Sequence, residues 1–361
     1  MEFLLLCVVV LLSFANGAND NFKGVATLWG AGRTSYWRAL CWATSFTFLG
    51  SLAAAGTASV LVSKFNGSKL VGAEIYTQLP FLAAVALGSA IAVLLASRLG
   101  LPVSTTHALT GAMLGAGVVA AGRGGVEFAA LGSGVIAPLL FSPFVALALT
   151  LGVHPLVARL ASRDCVCVTE PPVMTLSPDG AAMMETVSAP VLRVAGAAEC
   201  NTGAEIIRGS ATDILHWFSA AGISFARGLN DTPKIVAVLL VAGAAAATSN
   251  FVLVAVAMAA GGMLGAARVA RTMSKQITPM AMEEAVSANL AAASLVTLAS
   301  FFALPVSTTH VTSGGIFGIG LRRRDQADWR RVREILLSWL GTLPIGAALG
   351  GLLYLVLARM A

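Results

Sequence analysis

At 361 residues the chain has the length of two soluble domains, yet 57% of it is hydrophobic and only 11% is charged. A soluble surface needs roughly a quarter of its residues charged, so a soluble, disordered or disulfide-scaffold protein is excluded. Apolar runs of about 20 residues, enough to cross a hydrocarbon core, recur throughout, and the net charge of +6 lies mainly between them, which argues against a nucleic-acid partner.

The composition therefore specifies an all-α polytopic membrane protein that has the lipid bilayer as its partner. Spans are predicted at 3–28, 37–62, 79–99 and 128–153, then at 211–229, 233–247, 249–267, 285–303 and 334–358. The first begins Met-Glu, without a basic segment or a clear cleavage site, and is read as mature sequence rather than a signal peptide. Stretches 101–121 and 304–320 are rich in Gly, Ser and Thr. They are read as short spans or re-entrant hairpins, which membranes accept where protein or a water-filled cavity covers the backbone.

Between 154 and 210 the chain turns polar, with Pro171, Pro172, Pro178 and Pro190. This polar linker separates a first transmembrane repeat, 1–153, from a second, 211–361. Cys165, Cys167 and Cys200 lie in it, but a Cys-x-Cys pair without a histidine cluster is a poor metal site; no metal and no cofactor is expected. Farther on, Arg322, Arg323, Arg324, Arg330, Arg331 and Arg333 mark a cytoplasmic loop, as in a multi-pass protein of the plasma (inner) membrane.

The halves are related by two motifs in the same order. Leu101-Pro102-Val103-Ser104-Thr105-Thr106-His107 returns letter for letter as residues 304–310, followed by Gly111, Gly115 and Gly117 against Gly314, Gly318 and Gly320. Upstream, residues 13–23 and 224–234 are identical at seven of eleven positions. Such duplication, with interrupted hydrophobic segments at corresponding places, is the signature of a secondary transporter. Whether the halves are parallel or inverted depends on whether the Gly-rich stretches cross.

Proline cannot continue a helix and serine caps one well, so helices are predicted to start at Ser104 and Ser307. A helix start offers free N–H groups and positive dipole. With the hydroxyls of Ser104, Thr105, Thr106, Ser307, Thr308 and Thr309 it makes a multi-donor cradle for a tetrahedral oxyanion. The competing role, hydroxyls that satisfy helix carbonyls, explains one copy better than two. His107 and His310, three residues after each serine, share its helix face. Packing and proton handling are open to them, and so is the base of an intramembrane Ser-His hydrolase, which duplication of the dyad disfavours.

Asp20 and Asp231 end apolar runs, where a carboxylate is costly unless paired; Lys23 and Lys234, three residues on, can pair them. Two readings compete: lysines that snorkel to the membrane surface, or discontinuous helices lining a polar site, with Pro233 breaking the second. Arg227 has no repeat partner, since Asn16 holds its place; it either holds an anion or anchors a helix end.

These residues resemble the inorganic phosphate transporter (PiT) family, which carries in each half a Gly-[Ala/Ser]-Asn-Asp-Val-Ala-Asn-Ala-like motif and a Pro-Val-Ser-Thr-Thr-His-like motif. Gly17-Ala18-Asn19-Asp20 and Gly228-Leu229-Asn230-Asp231 match the first, and residues 102–107 and 305–310 the second. The resemblance implies an inverted-repeat transporter with broken helices and re-entrant hairpins, moving phosphate by sodium or proton coupling, with some members carrying sulfate. The motif matches place Asn19, Asn230 and the six hydroxyl residues at substrate, where the residue reading adds the positive charges of Lys23, Lys234 and Arg227, and they place Asp20, Asp231, His107 and His310 in coupling or site formation. The chain departs from the family where a lysine, Lys23 or Lys234, replaces the second asparagine of each Asn-Asp motif. Ammonium groups repel sodium where oxygens would hold it, so sodium-independent, proton-driven transport is expected. Inorganic phosphate is thus the expected substrate, with a sulfate or other oxyanion permease as the alternative, a passive channel as a third reading, and a homodimer left open.

Overall fold

A computed structural model of the chain describes residues 1–56, 68, 70–132, 136–160, 164–169, 172–176, 182–186, 191–196, 205–243, 248–302, 304 and 306–360. Its long helices are α1 (Glu2–Asp20), α2 (Tyr36–Ala53), α3 (Leu79–Leu99), α4 (Thr105–Ala121) and α5 (Ala137–Leu160), then α6 (Ala211–Val241), α7 (Thr248–Gly265), α8 (Met282–Phe301), α9 (Thr308–Arg322) and α10 (Trp329–Leu357). Among the described residues each half supplies five in the same order, so that α1 corresponds to α6 and α5 to α10.

Among the described residues, seven segments are long and apolar enough to cross a membrane. α6 is long enough but carries Arg227, Asp231 and Lys234 at its centre. α4 and α9 have 17 and 15 residues, about 25 and 22 Å at 1.5 Å per residue, short of a full crossing. Each follows a longer helix after a turn, so both Gly-rich stretches are short helices. Gly100 makes the first turn, with φ 72° closing α3 in the left-handed region that glycine tolerates.

The proline at 233 does not break the second run. α6 continues from Ala211 to Val241 through Pro233, merging the spans predicted at 211–229 and 233–247. Transmembrane helices tolerate interior proline, and the preceding Thr232 ties this one to α2, its hydroxyl donating to Ser51 Oγ at 2.7 Å. The first copy, which has no proline, is the one that breaks: α1 ends at Asp20, a 3-10 turn carries Lys23–Val25, and a short helix resumes at Ala26–Gly30.

The polar linker also differs from expectation. α5 extends to Leu160 through Pro143 and Pro155, and five short strands follow: β1 (Asp164–Thr169), β2 (Pro172–Leu176), β3 (Ala182–Thr186), β4 (Val191–Gly196) and β5 (Glu205–Gly209). They pair antiparallel as β4-β1-β5 and as a β2-β3 hairpin. Cys165 and Cys167 lie on β1, whereas Cys200, Pro171, Pro178 and Pro190 lie outside the described residues.

The helical contacts come in matched pairs. α1 packs on α7 as α6 packs on α2; α4 on α10 as α9 on α5; α1 on α3 as α6 on α8. Glycines permit this closeness, as small residues do between membrane helices. Gly17 meets the carbonyl of Met258 and Gly228 meets that of Thr47, at equivalent positions. Gly115 of α4 lies against the Ala347 carbonyl of α10, where a Cβ would overlap the oxygen. Gly115→Leu should therefore destabilise by about 1–3 kcal/mol or more through overpacking, whereas Gly124→Leu, with nothing nearby to strike, should leave the melting temperature in detergent unchanged. Large side chains left uncovered, such as Phe3, Leu95, Phe144, Leu298, Leu340 and Leu352, suit contact with lipid.

Candidate functional site

The starts of α4 and α9 are built alike. Ser104 and Ser307 are the N-caps, with φ/ψ of −94°/116° and −95°/117°, and each hydroxyl oxygen accepts from the backbone N–H of the histidine three residues on, at 3.2 Å. The predicted helix starts are thus observed. The serines cap the backbone and do not engage the imidazoles, so no Ser-His dyad forms in either copy. The histidine rings face one another instead, His107 to His310 at 4.6 Å between centroids. His310 lies 2.9 Å by Nδ1 from the Leu139 carbonyl and stacks on Trp339.

Against these helix starts lie the two Asn-Asp motifs. Lys23 Nζ pairs with Asp20 Oδ1 and donates to Asn19 Oδ1 at 2.8 Å, the Val103 carbonyl at 3.0 Å and Thr309 Oγ1 at 2.5 Å. Lys234 Nζ pairs with Asp231 Oδ1 at 3.2 Å and donates to the Val306 carbonyl and Thr106 Oγ1, both at 3.1 Å. Each lysine therefore holds its own aspartate, its own half's valine carbonyl and the other half's last threonine. Thr105 Oγ1 donates to Asp20 Oδ2 at 3.1 Å and Thr308 Oγ1 to Asp231 Oδ2 at 3.4 Å. Asn19 and Asn230 brace the strandless segments before the caps: Asn19 Nδ2 donates to the Leu101 carbonyl at 3.0 Å, Asn230 Nδ2 to that of Val306 at 3.4 Å.

Arg227 sits where the halves meet. Its guanidinium donates to Asn16 Oδ1 at 2.5 Å, Asn21 Oδ1 at 3.1 Å and Thr47 Oγ1 at 3.3 Å, and its Nε lies 3.7 Å from Asp231 Oδ2. Asn16 and Arg227 are repeat equivalents, and so are the two touching histidines. Equivalent residues meet only on the axis relating the halves. A pair of arginines there would force two guanidiniums together, whereas Asn against Arg supplies acceptor to donor. The missing repeat partner of Arg227 follows from that geometry.

Lys23 and Lys234 are 1% and 2% exposed, so they do not snorkel. Three cations face two carboxylates in a buried cluster, leaving one excess positive charge where both helix starts point their positive dipole ends. The structure brings together all fifteen residues singled out from the sequence, with the histidines one turn beyond the hydroxyls. Sequence reasoning missed Asn16, Asn21 and Thr47, which hold Arg227, and Ser97, which accepts from Asn19 Nδ2 at 2.9 Å; Asn16 was legible only as the repeat counterpart of Arg227.

Residues 16–350 match the model of the phosphate transporter family. The chain belongs to that family. Relatives include proteins described as probable low-affinity inorganic phosphate transporters. The one from Mycobacterium tuberculosis is 27% identical over 98% of this chain and 77% of its own length, and that from Bacillus subtilis 26% identical over 99% of both. A solved structure titled the sodium-dependent phosphate transporter superposes with a TM-score of 0.77 at 19% identity, covering 100% of this chain and 99% of that one; this likeness shows the fold. Family membership and the apolar helices make this a multi-pass membrane protein with a transport rather than an enzymatic role. In this chain both oxygen-rich clusters beside the hydroxyl helices are filled by lysine ammoniums.

Proposed function

We propose that the protein carries inorganic phosphate across the plasma membrane as a secondary active transporter, with its two halves acting as inverted repeats that alternately open a shared central site. The carrying observation is the convergence of two serine-capped helix starts and three buried cations on one pseudo-symmetric cluster. α4 runs along α10 in the same direction, with Gly111 against Leu343 and Gly115 against Ala347, whereas α9 starts with His310 stacked on Trp339 and runs back to Arg322, just before α10 begins at Trp329. Opposite directions for equivalent helices support inversion. A cavity of about 530 Å³ between α3 and α10, with Arg331 and Glu334 in its wall, reaches Val103 beside the cluster and is proposed as one approach.

One feature favours phosphate over sulfate. Hydrogen phosphate carries an O–H donor and sulfate does not. The site offers acceptors in Asp20, Asp231 and Asn230 Oδ1, the last buried with no hydrogen-bond partner. An acceptor-only sulfate would leave that oxygen unsatisfied, at the cost usual for buried polar groups.

Uptake of labelled phosphate into proteoliposomes tests the proposal. Arsenate should compete, sulfate and molybdate weakly; stronger competition by sulfate would transfer the assignment to a sulfate permease, and no accumulation under any ion gradient would leave a channel. Thr105→Val or Thr308→Val should weaken apparent phosphate affinity about tenfold to a hundredfold, since a hydrogen bond to a charged group is worth about 1.5–3 kcal/mol. Unchanged affinity in both variants would remove these hydroxyls from the site.

A further inference from the structure

The two lysine environments share a donor set of one kind. Each ammonium is enclosed by a carboxylate oxygen, a backbone carbonyl and a threonine hydroxyl, drawn from equivalent positions of the repeat, and Lys23 adds the amide oxygen of Asn19. Such oxygen sets are what hard cations select. The lysines reach them from within the same motif, on stems that are almost wholly buried, and each spans from its own half to the hydroxyl helix of the other.

We propose that Lys23 and Lys234 are tethered cations occupying two built-in monovalent-cation cages, so that the protein needs no sodium or potassium to hold its halves around the anion. The proposal rests on the transport reading above and specifies how that site is neutralised. An exchangeable ion would have to enter beside a fixed positive charge at each cage, and each aspartate already has its counter-charge. Cutting the lysine back to alanine leaves the oxygens and removes the charge, which turns each cage into a site for a small soluble cation. The same logic distinguishes a filled cage from an empty one: a side chain of lysine's length without its charge blocks the space and accepts no ion.

The experiment compares the parent with Lys23→Ala and Lys234→Ala in choline, sodium, potassium and methylammonium chloride at fixed pH. Two readings are taken, labelled phosphate uptake in proteoliposomes and thermal denaturation in detergent. Parent uptake should be the same in choline and sodium. The alanine variants should lose about tenfold or more of it in choline, and sodium or methylammonium should restore uptake and raise their melting temperature by about 3 °C or more, with no such rise in the parent. Lys23→Met, which fills the cage, should not be restored. If alanine prevents folding in choline, folding recovered by sodium is the same positive result, and Lys23→Gln serves as the milder variant. Strict sodium dependence of the parent, or alanine variants that respond equally to choline and sodium in both readings, would overturn the proposal. A parent that moves no phosphate in any salt would overturn the transport reading instead, and the melting data would still decide the cages.

Discussion

Lys23→Met in sodium-free buffer is expected to lower stability by about 3–5 kcal/mol and to abolish phosphate uptake. Removing one partner of a buried ion pair strands the other charge without compensation, and Asp20 has no second cation within salt-bridge distance among the described residues. Lys234→Met should cost less, because Arg227 Nε stays 3.7 Å from Asp231. The double change Asp20→Asn with Lys23→Met removes both charges and should recover most of the stability, as buried pairs replaced together are often neutral. It should not recover uptake, since the tie to Thr309 and the Val103 carbonyl goes with the ammonium. Denaturation midpoints and uptake, measured on all four forms, separate the two effects. Equal stability of Lys23→Met and parent would mean that Asp20 is not held as an ionised partner.

The pairings inside each motif were legible in the sequence because they are local. Three residues on a helical turn place Asp20 beside Lys23 and Asp231 beside Lys234, and duplication marked both pairs as more than boundary salt bridges. The helix starts at Ser104 and Ser307 were legible for a similar reason, through proline followed by a capping side chain. What stayed hidden is long-range. A repeat states which residues are equivalent, not which touch, so the crossing of Lys23 to Thr309 and of Lys234 to Thr106 could not be read. Pro233 misled because α6, packed along α2 and α8, continues through it, while the true break after Asp20 carries no proline. The strands of the 164–209 segment were missed because they are five or six residues long in a proline-interrupted stretch, where alternation has no length to declare itself.

The contact of Asn16 with Arg227 allows the axis itself to be tested by exchange. Asn16→Arg alone should fail to fold or lose about 3–5 kcal/mol, the scale of an uncompensated buried charge, since it presses two guanidiniums together where one now donates to an amide oxygen. Arg227→Asn alone should fold but lose uptake by about tenfold to a hundredfold, because it removes the excess positive charge and the charge-assisted bonds to Asn16 and Asn21. The exchange of both restores one guanidinium on the axis facing one amide, and uptake should return in part. Full recovery is not expected, because the halves are not identical around this point. Arg227 now bonds Asn21 and Thr47; an arginine at position 16 would find their repeat counterparts, Thr232 and Met258, and a thioether is only a weak acceptor. Adding Met258→Thr to the exchange should therefore raise uptake further, since it supplies the hydroxyl that Thr47 supplies in the parent. If the exchange is no better than Asn16→Arg alone, the two positions do not share an axis, and the paired contacts of the halves would need another origin.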